Sequence, residues 1–147
     1  AHGNEPSHHV AYMYNWAGKP WKTQERIHQI VNTMYLNKPD GLCGNDDCGQ
    51  MSAWYVFSSL GFYPVCPGSG EYAIGSPSVK EGRLQLVGGK TLTVKANNLT
   101  DKNIYIQSVK LNGKPVTITI LTSYEINQGG ELVFEMGSKP NKKWGVK

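Results

Sequence analysis

Asp46 and Asp47 stand side by side in a glycine-bracketed stretch, Gly41-Leu42-Cys43-Gly44-Asn45-Asp46-Asp47-Cys48-Gly49-Gln50. An apolar helical pattern starts immediately afterwards. The unpaired N–H groups of that helix's first turn face the loop and stabilise anions there. A carboxylate held in such a place stays ionised near neutral pH and serves as a general base or as a ligand to a hard cation. Gly44 and Gly49 leave room for a ligand against the backbone. The ordinary role of an Asp before a helix is simply to cap it. An EF-hand is excluded, because the ligand spacing and the closing Glu are absent.

A second polar loop lies near the start of the chain, Gly3-Asn4-Glu5-Pro6-Ser7-His8-His9. Its carboxylate, amide carbonyl and imidazole groups suit a hard cation together with sugar hydroxyls. An acidic residue in the first turn of a helix accounts for Glu5 equally well. The adjacent His8 and His9 point to different helix faces. A zinc protease would need its histidines four apart with a Glu between them, so that chemistry is excluded. Cys43, Cys48 and Cys66 form no zinc-ligand pattern. Their redox state stays open, and small buried residues beside a site is the reading they favour.

Three helices are expected to hold these loops. The first spans about 7–16, between Pro6 and Gly18. The second spans about 23–36, capped by Thr23, with Ile27, Ile30, Val31 and Met34 along one face. The third spans about 50–60 and stops at Gly61. Its residues Met51, Ala53, Trp54, Tyr55, Val56, Phe57 and Leu60 are apolar almost all round, which predicts burial in a larger helical assembly. Three short helices cannot bury that surface alone, so further helices are expected upstream of Ala1.

Composition changes near residue 65, from aromatic and helical to Gly, Thr, Val and Lys in two-residue alternation. Strands are expected at about 71–74, 83–86, 91–95, 104–111, 117–121 and 131–135. Asn112-Gly113 marks a hairpin. Short strands at this spacing suggest a sandwich. The expected class is therefore α+β, with helices over 1–66 and a small antiparallel β-sandwich over 67–147.

Bulk properties narrow the function. The chain has 147 residues, a hydrophobic fraction of 39% and a formal charge of +4. It is long enough to bury a core without disulfides. Its densest basic cluster, Lys139, Lys142, Lys143 and Lys147, lacks interleaved aromatics and reads as a solvated tail, which argues against nucleic acid. No apolar run reaches the roughly 20 residues of a membrane span. The opening residues show no basic and apolar leader pattern and read as the middle of a longer chain.

Four motifs in order carry a family resemblance: Gly3-Asn4-Glu5-Pro6-Ser7-His8-His9, Gly18-Lys19-Pro20-Trp21-Lys22-Thr23-Gln24, Gly44-Asn45-Asp46-Asp47-Cys48-Gly49-Gln50-Met51-Ser52-Ala53-Trp54-Tyr55, and Gly61-Phe62-Tyr63-Pro64-Val65. Together the segments resemble glycoside hydrolase family 92. The resemblance covers roughly residues 2–65 and extends more loosely over the β region. It implies an inverting, exo-acting α-mannosidase that needs Ca²⁺, with helices 1–66 completing an (α/α)6 barrel. The metal is expected to bind the 2- and 3-hydroxyls of a terminal mannose.

Carried over residue by residue, the resemblance makes Asp47 the general base, with Asp46 beside it as a second catalytic candidate. Asn4, Glu5 and Asp47 are the expected metal ligands. Asn4, Glu5, His8, His9 and Asn45 are the expected contacts to sugar. Some family members resemble an acid–x–acid arrangement here, whereas this chain has Asn45 at the first of those positions. The general acid is expected upstream, so the 147 residues alone are expected to be inactive. The expected substrate is a mannose-rich glycan, such as an N-glycan, with α-1,2 linkage, and the expected location is periplasmic or secreted, in a bacterium. A non-catalytic carbohydrate-binding module is the competing reading. It would need exposed aromatics on the β part, where Tyr72, Tyr105, Tyr124, Phe134 and Trp144 are scattered among aliphatics.

Overall fold

A computed structural model describes residues 2–146. Ala1 and Lys147, the latter one of the four tail lysines, lie outside the described residues. The chain opens with two 3-10 helices, Glu5–Ser7 and Val10–Asn15, where one α-helix was expected. Helix α1 spans Pro20–Thr33 and α2 spans Gln50–Leu60. Thr23 does not cap α1. Pro20 occupies the first turn, where its missing N–H costs nothing, so the helix begins three residues earlier than expected. Thr23 is buried inside α1, and its hydroxyl donates to the Tyr12 carbonyl at 3.5 Å. Both ends of α2 match the expectation, with left-handed glycines at Gly49 (φ 90°) and Gly61 (φ 96°).

Two sheets follow. The smaller contains β1 (Phe62–Tyr63), β2 (Glu71–Ile74) and β7 (Ile120–Thr122) in the order β1-β2-β7. The larger contains β3 (Glu81–Gln85), β4 (Thr91–Asn97), β5 (Tyr105–Leu111), β6 (Lys114–Pro115) and β8 (Gly130–Gly137) in the order β3-β4-β8-β5-β6. The expected antiparallel pattern holds except in one place, where β4 and β8 run parallel, Leu92 opposite Gly130 through Asn97 opposite Glu135. Between β7 and β8 sits a short helix α3, Ser123–Asn127, closed by a capping box of Thr122 and Glu125.

Strand alternation makes the small sheet a shared layer. Phe62 and Ile74 pack with Leu92, Leu132 and Phe134 of the larger sheet. Their neighbours Tyr63 and Ala73 point the other way and pack with Tyr12, Ile27, Val31 and Trp54 of the helical region. Helix α1 is also tied directly to the larger sheet. The buried Gln24 side chain accepts the Ile106 N–H at 2.9 Å, and the Tyr105 hydroxyl donates to Glu25 at 3.1 Å. The helical segment is thus held from behind, and the second polar loop leads into the first turn of α2.

Within the described residues α2 is covered on one side only, short of the burial in a larger helical assembly that its composition predicts. Met51, Trp54, Ser58, Ser59 and Leu60 are buried, but Ala53, Tyr55 and Val56 lie on an exposed stripe. Trp16, just past the second 3-10 helix, is also exposed. The three cysteines are free thiols and all are exposed, against the buried placement expected of them, because each sits in a loop.

Candidate functional site

The two polar loops meet backbone to backbone. A Cβ on Gly44 would overlap the Gly3 carbonyl, and one on Gly3 would lie 2.8 Å from the Cys43 carbonyl oxygen. Glycine at both places is what lets the strands of loop approach. Asn4 caps the first 3-10 turn, its Oδ1 accepting the Glu5 N–H at 3.1 Å. That cap sets the direction of Glu5. The Glu5 carboxylate reaches across to hydrogen-bond with the Asp47 carboxyl of the second loop. The bond drops Glu5 below the usual carboxylate range and pushes Asp47 above it. Of the two carboxyls, Asp47 is therefore the one with the raised proton affinity and Glu5 the more acidic.

Asp47 stands on unusual backbone. Asp47 (φ 47°), Cys48 (φ 59°) and Gly49 (φ 90°) are left-handed in succession. For a residue with a Cβ this costs roughly 1–2 kcal/mol, less for Asp. Such a run persists only where its surroundings fix it. Asp46 does much of that fixing. Its two carboxylate oxygens accept the Ser52 N–H at 2.9 Å and the Ser52 hydroxyl at 3.0 Å. The N-cap of α2 is Gly49, which has no side chain to offer, so Asp46 supplies the capping oxygen from three residues earlier.

His8 is almost fully buried. Its Nε2 lies 3.2 Å from the Met51 sulfur, and its carbonyl accepts the Trp54 indole N–H at 3.0 Å. Its Nδ1 faces the His2 backbone without a hydrogen bond of normal geometry. His2 stacks edge-on against Trp54, with ring centroids 4.2 Å apart, and bonds the Tyr35 hydroxyl at 2.7 Å. Burial, reinforced by neighbouring His8, pushes His2 down to about 4; burial lowers His8 as well. The sequence singled out His8 but not its neighbour His2. His9 and Asn45 are exposed, as are Asn4 and Asp47. A groove of about 400 Å³ runs along the neighbouring face, lined by His2, Pro6, Ser7, Tyr14, Arg26 and Gln29 among others.

A hard cation fits the Glu5–Asp47 pair on chemical grounds. Two carboxyls brought into contact are an environment that a dication relieves, and Asn4 adds an amide oxygen beside them. No group of three His, Cys, Asp or Glu side chains comes together among the described residues. Further donors would therefore be carbonyl oxygens and water, which Ca²⁺ accepts readily. Zinc, which favours nitrogen and sulfur, is poorly served.

Comparison with known proteins bears on what this site does. Residues 1–138 match the model of the glycosyl hydrolase family 92 catalytic domain. The family GH92 α-mannosidase BT3965 from Bacteroides thetaiotaomicron superposes with a TM-score of 0.96 at 49% identity, covering 99% of this chain and 20% of that one. The same protein has been solved in complex with mannoimidazole. The family GH92 inverting mannosidase BT2199 from the same organism gives a TM-score of 0.93 at 47% identity, covering 100% and 20%. An uncharacterized secreted glycosidase from Arthroderma benhamiae is 35% identical across 98% of this chain and 19% of its own length. The chain thus spans about a fifth of the relatives it matches.

Proposed function

The chain belongs to glycosyl hydrolase family 92, and from that premise we propose that it carries the base side of the active site of an inverting exo-α-mannosidase. The observation that carries this reading is the Glu5–Asp47 carboxyl pair, built from two loops that share no secondary structure. The family's structures with mannosidase activity and a mannose-like ligand support it at close to half sequence identity.

In this reading Asp47 is the general base. Hydrolysis with inversion needs one carboxyl to protonate the leaving oxygen and another, on the opposite face, to take a proton from water. Asp47 is exposed and its affinity for a proton is raised by Glu5, which strengthens a base so long as it is ionised at working pH. Glu5, Asn4 and Asp47 would hold Ca²⁺. When bound, that ion supplies the charge that grips the 2- and 3-hydroxyls of a terminal mannose. Glu5, as the more acidic partner, remains ionised and keeps Asp47 oriented. Asn45 and His9, exposed beside the pair, are the remaining sugar-contact candidates on this chain. His8 is buried behind them and acts only through the shape of its loop.

The same reading places the general acid in a part of the protein outside these residues, and makes residues 1–66 the end of a helical barrel backed by the β-sandwich of 67–147. It takes the natural substrate to be a mannose-rich glycan with α-1,2 linkage, such as an N-glycan, and the enzyme to be periplasmic or secreted in a bacterium. The name of the Arthroderma relative supports secretion.

Calcium dependence tests the reading directly. The full-length protein should lose hydrolysis of 4-nitrophenyl α-mannoside in excess chelator and recover it on adding Ca²⁺. Glu5→Gln should raise the Ca²⁺ concentration needed for half-activation by tenfold or more, in line with about 1.5–3 kcal/mol for a charged contact. Full activity in chelator would remove the metal from the account.

A further inference from the structure

We propose that Asp46 and Ser52 are positioning residues: together they hold Asp47 in its left-handed turn, and Asp46 takes no part in proton transfer. The proposal rests on the reading of Asp47 as the general base and adds two residues whose work is geometric.

The two neighbouring aspartates point to opposite tasks. Asp47 extends to Glu5 across the junction of the loops. Asp46 turns back onto α2, where both of its oxygens are taken up by Ser52, one by the N–H at 2.9 Å and one by the hydroxyl at 3.0 Å. The Asp46 carbonyl also accepts the Met51 N–H at 3.2 Å, and the Asp47 carbonyl accepts the Gln50 N–H at 3.4 Å. Four hydrogen bonds therefore pin the two residues to the first turn of α2. Between these anchors and the helix lie only Cys48 and Gly49, both left-handed like Asp47. A backbone run of this kind relaxes when its anchors are removed. The carboxylate it carries then swings away from the water it must deprotonate, and misplacement by about 1 Å costs on the order of 100-fold in rate.

Ser52 is the more informative handle. Its hydroxyl is exposed and contributes one of the two bonds to Asp46, while its N–H remains whatever the side chain. Ser52→Ala therefore loosens the anchor without dismantling the helix start. Ser52→Thr restores the hydroxyl. Asp46→Asn keeps an oxygen for the Ser52 N–H and an amide for the hydroxyl, but cannot serve as a base.

The test is steady-state kinetics of the full-length protein with 4-nitrophenyl α-mannoside and saturating Ca²⁺, with thermal melting of each variant. Ser52→Ala should lower kcat about 5- to 20-fold, with KM held within about twofold, and Ser52→Thr should recover most of the loss. Asp46→Asn should lower kcat by no more than about tenfold, and Asp47→Asn by 100-fold or more. A wild-type kcat from Ser52→Ala beside an inactive Asp47→Asn would overturn the positioning role alone. So would an Asp46→Asn protein that melts normally and is as inactive as Asp47→Asn. A wild-type rate from Asp47→Asn would instead overturn the underlying base assignment, and this proposal with it.

Discussion

Asp47 owes its chemistry to the company of Glu5, and that company is a three-dimensional fact. The sequence showed two acidic loops 42 positions apart and motifs that tie both to one family. It did not show that Glu5 and Asp47 would meet, because that depends on Gly3 and Gly44 letting two backbones touch. Nor did it separate Asp46 from Asp47, since adjacent aspartates look alike until the backbone turns one of them back onto Ser52. His8 was legible as part of the motif but not as a core residue: whether an imidazole is exposed depends on what packs over it, here Trp54 and Met51. The buried histidines carry a pH prediction. The folded pKa of His2 is depressed from 6.5 to about 4 by burial and by His8. The folded state then binds fewer protons than the unfolded one, so this contribution to stability is complete above pH 6.5 and is lost as pH falls toward 4. Melting temperature should decline across that window, and His2→Gln should flatten the decline. An unchanged slope in that variant would assign the acid sensitivity elsewhere.

At the scale of elements, boundaries marked by backbone chemistry were the readable ones. Gly49 and Gly61 bracket α2 because only glycine takes φ near 90° without strain, and the expected span was the observed one. Asn112-Gly113 gave the β5–β6 hairpin for the same reason, both residues being left-handed. Where the outcome hung on tertiary contacts, the expectation slipped. Residues 5–15 wind as two 3-10 helices, with Tyr12 and Asn15 drawn inward to Ser58 and the Ile74 carbonyl. The parallel pairing of β4 with β8 carries no local signal at all, because it joins segments separated by β5, β6, β7 and α3. The capping box of α3 was present in the sequence as Thr122-Ser123-Tyr124-Glu125 and was overlooked within a strand-rich stretch. Gly61 is the element-level test. A Cβ there would meet Phe134 at 3.0 Å and Pro77 at 3.3 Å, on backbone that already disfavours it. Gly61→Ala should destabilise the protein by about 2–4 kcal/mol in denaturant melts, combining the left-handed penalty with overpacking. A loss below about 0.5 kcal/mol would mean that the α2–β1 corner is looser than described.

The whole molecule is a set of layers whose helical edge is apolar and uncovered. Tyr55 and Val56 of α2 are exposed, as are Val10 and Met13 of the second 3-10 helix and Trp16 just after it. Such a surface is what the sequence-based expectation of further helices requires, and the chain covers only about a fifth of its relatives. The proposed mechanism places its general acid outside these residues. The isolated 147-residue chain should therefore show no hydrolysis of 4-nitrophenyl α-mannoside with saturating Ca²⁺; robust turnover would place both members of the acid–base pair within it. The most direct measurement uses the full-length protein with Asp47→Ala and added azide. Azide is already an anion and needs no base to attack the anomeric carbon. Removing Asp47 should cut hydrolysis by about 10²- to 10⁴-fold, and azide should restore release of nitrophenol while forming a mannosyl azide of inverted configuration. Hydrolysis within a few-fold of wild type, or a loss that azide leaves untouched in a normally folded variant, would contradict the assignment of Asp47 as the base.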